Sequence, residues 1–180
     1  MLLLALDAAT RTGFAIGEVG KRPRVGAVRL KKPNEVVQIA WANMGFFLRD
    51  LLVLEKPDLI AIEAPMPPGA QGSGDAVVLQ WGVFAVATFL AAAYEIRLEA
   101  VNAQTVSKHF TGKARWSKAE GGRNAKKAAA VERAQVLGYI TRDVNDSDIA
   151  DACAVYDFAA SKWGKHRPSE LVLFNEAPRP

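Results

Sequence analysis

A single cysteine in 180 residues, Cys153, excludes a disulfide framework and a thiolate zinc site. It lies in an apolar helical pattern and reads as a small core residue. Histidine is nearly as scarce, and His109 and His166 are too far apart for an imidazole metal centre. The Gly-rich phosphate loop of a nucleotide-dependent kinase or ATPase is missing. Charge is absent from residues 76 to 94, a run of 19 positions. A bilayer span needs about 20 apolar residues. Gln80, Gly82, Thr88 and many alanines dilute this one, and it follows an α/β pattern, so it reads as a buried helix and a candidate subunit interface. No basic segment precedes the first apolar run, which is too short for a signal peptide, so the expectation is a cytoplasmic protein with no membrane partner.

Half the residues are apolar and 23% are charged, which suits one soluble domain with a real core. The expected division is a domain over residues 1–165 and a polar tail over 166–180. The net charge of +4 is unevenly spread. Lys108, Lys113, Arg115, Lys118, Arg123, Lys126, Lys127 and Arg133 face only Glu120 and Glu132 in the same segment. Such a local excess is the footprint of a polyanion partner.

Leu2 to Leu6 is an unbroken apolar run whose length suits a strand buried on both faces. It ends on Asp7. One such acid is as easily a turn residue as a functional group. Two strand patterns follow, over 13–19 and 24–30, around a Gly20–Pro23 turn. A helix is expected from Asn34, as N-cap, to about Leu54. Asp58 to Glu63 then repeats the opening pattern. Two buried strands separated by a helix predict a parallel pair with carboxyl ends at one sheet edge, which sets Asp7 beside Glu63. A third strand is expected over 97–101, a short helix over 103–110, a basic loop over 111–124, and a helix over 125–137. Asp143 to Asp151 is the densest acidic patch and opens a last helix. Asp148 and Asp151 share one face of it, directed inward by Ala150, Ala154 and Phe158. No Lys or Arg follows until Lys162, so a bound cation is the expected counter-charge. Carboxylates alone suit a hard ion, Mg²⁺ or Mn²⁺, and several at one sheet edge can hold two. Acids for metal beside bases for a polyanion point to a metal-dependent nuclease.

Taken together, these segments resemble the RuvC family of Holliday-junction resolvases, of phage or prophage type, within the RNase H-like superfamily. The resemblance is carried by Asp7-Ala-Ala-Thr-Arg-Thr-Gly13, by Ile62-Glu63 and by Asp148-Ile-Ala-Asp151-Ala-Cys-Ala. It implies an α/β fold with a five-stranded mixed sheet, order 3-2-1-4-5, and helices on both faces. It implies a homodimer that nicks a four-way DNA junction in a paired, Mg²⁺-dependent reaction with two ions per site and Mn²⁺ as a substitute. By position, Asp7, Glu63, Asp148 and Asp151 match the catalytic, metal-holding acids. Met66 falls where the family often places a junction wedge, although it also reads as a core side chain. Lys108 and Lys126, or Lys127 in its place, match basic residues near the scissile phosphate. Lys113, Arg115, Lys118 and Arg123 complete the expected DNA contacts. The usual Asp-Pro-Gly opening is Asp7-Ala8-Ala9 here, and the 111–124 loop is long. These departures leave open a broader fork and flap nuclease, a non-catalytic junction binder and an RNA substrate.

Overall fold

The computed structural model describes residues 1–65 and 74–164. Five strands, β1 (Leu2–Asp7), β2 (Arg11–Glu18), β3 (Arg24–Arg29), β4 (Leu59–Glu63) and β5 (Arg97–Val101), form one sheet in the order β3-β2-β1-β4-β5. The first three make an antiparallel meander, while β4 and β5 run parallel to β1. Helices α1 (Val37–Glu55) and α2 (Gly74–Ala93) cover one face; α3 (Ala103–Thr111), α4 (Gly122–Val136) and α5 (Ser147–Trp163) cover the other. This is the mixed sheet, strand order and two-sided helical cover expected above.

The strand alternation explains why β1 reads as continuously apolar. Leu4 and Leu6 enter the core under α1 and α2, while Leu3 and Ala5 enter the core under α5. Both faces are dry, so no polar position is tolerated until Asp7. The α5 side is built of small residues. Ala5, Ala15 and Ala61 meet Ala150, Ala152 and Ala154, which brings that helix close to the sheet. Tyr156 then ties it down, fully buried, with its hydroxyl donating to the Glu18 carbonyl at 2.9 Å.

Three expectations need correction. Asn34 does not cap α1; it sits at φ +67° in a turn, a conformation Asn adopts readily, and Val36 takes the cap position in extended backbone. The charge-free run 76–94, which makes up all of α2 after Asp75, is not a buried helix. Leu79, Val83, Ala87 and Ala91 form one stripe against the sheet, while Val78, Trp81 and Phe89 are exposed. Charge-free composition reported low polarity, but one contact face is all that a single sheet can bury. By length and composition alone α1 and α2 are each apolar enough to cross a membrane, yet each lays a stripe on the same sheet face. Finally, the basic segment 111–124 is more ordered than a loop. A 3₁₀ turn, Lys118–Glu120, is closed by a Ser117–Glu120 capping box, and α4 starts at Gly122. The proposed boundary at residue 165, the 166–180 tail and Met66 lie outside the described residues.

Candidate active site

The parallel pairing of β1 with β4 sets Leu6 opposite Ile62, so Asp7 and Glu63 terminate neighbouring strands at one edge. The start of α5 arrives at the same edge because β2 carries Gly13. A Cβ at that position would stand 1.9 Å from the Asp148 carbonyl oxygen. Glycine is required here for space, and it seats the first turn of α5 directly on the sheet. Glu63 and Asp151 line one cleft with Lys126 of α4, walled by Val106 and Phe110 of α3.

The electrostatics of this edge are strained in one direction. Burial pushes the Asp7 carboxyl well above the usual range, and Glu63, Asp151 and Asp148 push it further; Lys126 opposes them. Glu63 is raised by burial and by Asp151, against Lys126. Asp151 is raised by burial and by Asp148, against Lys126, Lys127 and Arg123. Carboxyls raised in this way hold protons in the folded chain that the unfolded chain has released. Their contribution to stability is therefore lost as pH rises from the ordinary carboxylate pKa, about 4, through the raised values. In EDTA, Asp7→Asn is expected to melt above wild type, by a margin that widens as pH rises through that window. Thermal melts at stepped pH check this, and a margin independent of pH would remove the buried-charge account of Asp7.

The expectation that α5 lacks side-chain counter-charges is corrected by the structure. Arg11, at the start of β2, donates to Asp146 and Asp148 with N···O distances of 2.5 to 2.8 Å. Lys127 donates to Ser147 Oγ at 2.8 Å and stands 3.5 Å from Asp148. These cations come from β2 and α4, beyond any window read along α5. Asp146, which read as part of the acidic patch, caps the helix by accepting from the Asp148 and Ile149 amides. With Asp148 so engaged, no three Asp, Glu, His or Cys side chains among the described residues converge on one metal-sized point. The donor chemistry nonetheless fits a hard divalent ion. Asp7, Glu63 and Asp151 are all-oxygen, mutually repelling and half-buried, with Lys126 their principal counter-charge.

The basic residues differ in setting. Lys108, Arg115, Lys118 and Arg123 are exposed. Arg123, Lys126 and Lys127 lie on one side of α4 by spacing, next to the acids. Lys113 pairs with Glu120 and lies over the Trp116 ring, 5.1 Å from its centroid, so it holds its own segment together. The segment carrying Lys108 is fastened to α5 through His109, whose Nε2 is 2.9 Å from Asp157; Tyr139 donates to the same carboxylate at 2.6 Å. Residue types along the chain gave no sign of these two fastenings.

No family model matches the chain, and no curated protein does. Solved structures do. RuvC of Thermus thermophilus superposes with a TM-score of 0.65 at 16% identity, covering 89% of this chain and 95% of its own. The same protein in complex with Holliday junction substrate gives 0.67 at 13%, covering 91% and 98%. The chain has the RuvC fold. The yeast mitochondrial Holliday junction resolvase Ydc2 shares it, with a TM-score of 0.57 at 14% identity and coverage of 90% and 77%. The RuvC-like sheet explains why the acids gather where they do: its parallel half brings two strand ends to one edge, and α5 returns to that edge over the antiparallel half.

Proposed function

We propose that this protein is a metal-dependent, structure-specific DNA endonuclease that resolves four-way junctions by paired nicks. The observation that carries the reading is the meeting of Asp7, Glu63 and Asp151 at one sheet edge, each carboxyl raised by burial and by its neighbours, beside the α4 cations Arg123, Lys126 and Lys127. The substrate comes from the RuvC fold, which T. thermophilus RuvC uses in complex with a Holliday junction. Asp7, Glu63, Asp148 and Asp151 would hold two Mg²⁺ ions, or Mn²⁺ in their place. Bound ions would supply water activation and charge stabilisation on the phosphodiester. The chain's own part is to hold half-buried Asp7 at the sheet edge, to balance the acids with Lys126, and to bind phosphates through Lys108, Arg115, Lys118 and Arg123.

A homodimer fits paired nicking. Helices α1 and α2 supply a surface for it, with Phe46, Leu54 and Phe89 exposed by 58%, 78% and 70%. Light scattering after size exclusion reads the assembly directly.

The test is cleavage of a synthetic four-way junction, a fork, a plain duplex and an RNA junction, each in Mg²⁺ and in EDTA. Symmetric nicks confined to the DNA junction and lost in EDTA are the expected result. Equal cutting of the fork broadens the activity to branched DNA in general. Tight junction binding without cutting replaces the enzyme with a binding module. Charge reversal of Lys108, Arg115 and Lys118 to Glu is expected to weaken junction binding and flatten its salt dependence, by about 0.9 in the log–log slope for each phosphate no longer neutralised. Binding titrations at several salt concentrations check this; an unchanged slope removes the segment from the DNA path. Arg123 and Lys126 are unsuitable for that test because they also balance the acids.

A further inference from the structure

Asp148 is the only one of the four candidate acids with a side-chain partner among the hydrogen bonds of the described residues, and that partner comes from the far side of the chain. Arg11 Nη1 donates to Asp146 Oδ1 at 2.8 Å and to Asp148 Oδ2 at 2.7 Å, while Nη2 donates to Asp146 Oδ2 at 2.5 Å. Asp146 Oδ1 in turn accepts the backbone amides of Asp148 and Ile149 at 3.0 and 3.3 Å. One planar guanidinium therefore grips the helix cap and the acid two residues beyond it. Two positions along β2, on the same sheet face by strand alternation, Gly13 seats the Asp148 carbonyl. Strand β2 thus fixes the backbone of Asp148 through Gly13 and its carboxylate through Arg11.

From this we infer that Arg11, anchored on Asp146, is a positioning residue that sets the posture of Asp148 for metal binding; the inference rests on the nuclease reading above. The grip is directional. A guanidinium offers parallel donors in a rigid fork, whereas an ammonium is a point charge that would leave one of the two carboxylates unconstrained. The grip is also weak as a source of stability. The side chains of Arg11, Asp146 and Asp148 are 34%, 24% and 25% exposed, and pairs that wet contribute little to folding. Fixing a geometry without adding much stability is what a positioning pair does.

The experiment uses the full chain, three single variants, Arg11→Met, Arg11→Lys and Asp146→Asn, and the double variant Arg11→Met/Asp146→Asn. Asp146→Asn keeps a capping oxygen and loses the charged anchor. Mn²⁺ binding is read first, by titration of the metal alone. Removing a cation beside acids would tighten Mn²⁺ by charge alone. Positioning predicts the opposite, a loss of about 10- to 100-fold for Arg11→Met and Asp146→Asn, the range seen when the partners of metal ligands are removed. On the junction in Mg²⁺, kcat is expected to fall by a similar factor with KM unchanged. Arg11→Lys should not rescue it, the double variant should be no worse than either single, and melting temperatures should stay near wild type. Tighter or unchanged Mn²⁺ binding overturns the inference, as does rescue by lysine or a loss that tracks melting temperature. Wild type that binds Mn²⁺ but cuts no junction overturns the nuclease reading instead, and the Mn²⁺ series still decides the role of Arg11.

Discussion

Asp7→Asn is expected to abolish junction cleavage, with a loss of about 1,000-fold or more, while junction binding stays within a few-fold of wild type. The size follows from where Asp7 stands. It ends β1 next to Glu63 on β4, and it is the carboxyl that all three other candidate acids push upward. Any cation that neutralises the edge must offset Asp7 first. Asparagine keeps the volume and one acceptor oxygen but removes the charge that draws a hard ion. Losing one preorganised electrostatic group commonly costs 100- to 1,000-fold in kcat, and a ligand to the ions is at the upper end. In the proposed function binding falls to exposed Lys108, Arg115, Lys118 and Arg123 instead, so the two readouts are expected to separate. Single-turnover cleavage and a gel-shift titration on the same junction measure both. Cleavage at the wild-type rate would move the chemistry away from this edge. Loss of binding together with cleavage would make Asp7 a structural residue.

The sheet edge was legible from residue types because burial and charge conflict there in an obvious way. Leu2 to Leu6 cannot be solvated on either face, so the Asp7 that ends the run has to be accounted for. The same holds for Leu59 to Glu63, and the intervening α1 forces the pair to be parallel. What residue types did not show are contacts made by separate elements. The pairing of Arg11 with Asp148 spans 137 positions and leaves no periodic trace. Asn34 and the outer side of α2 failed for a different reason. Composition reports a preference, for capping or for dry surroundings; Asn34 instead sits in a left-handed turn, and α2 buries only the stripe that meets the sheet. The fastening of α3 to α5 through His109, Asp157 and Tyr139 is of the first kind: three ordinary residues become a connection only once their elements meet.

Gly13→Ala is expected to lower stability by about 2–4 kcal/mol, an overpacking cost at a site with nothing soft to yield. The backbone of Gly13 is ordinary strand, so glycine is needed for room alone. An added Cβ would lie 1.9 Å from the Asp148 carbonyl oxygen, 2.7 Å from its carbon and 3.1 Å from the Ala152 Cβ. Two of those three atoms are helix backbone, which cannot rotate away as a side chain would. Either α5 lifts from the sheet or β2 bends, and both disturb the small-residue packing of Ala5, Ala15 and Ala152. For a chain of this size each kcal/mol corresponds to about 2–4 °C, so a drop of roughly 5–15 °C is expected in a thermal melt. Gly45→Ala is the matched control. Its Cβ would meet only Val86 Cγ1, at 3.8 Å, and it lies inside α1, where alanine is favoured over glycine by up to about 1 kcal/mol. The two substitutions add the same methyl group and are expected to move the melting temperature in opposite directions. Because α5 carries Asp148 and Asp151, Gly13→Ala should also cut the junction more slowly than its folded fraction accounts for. If it melts and cuts like wild type, α5 is not seated on β2 at this point, and the placement of both acids goes with it.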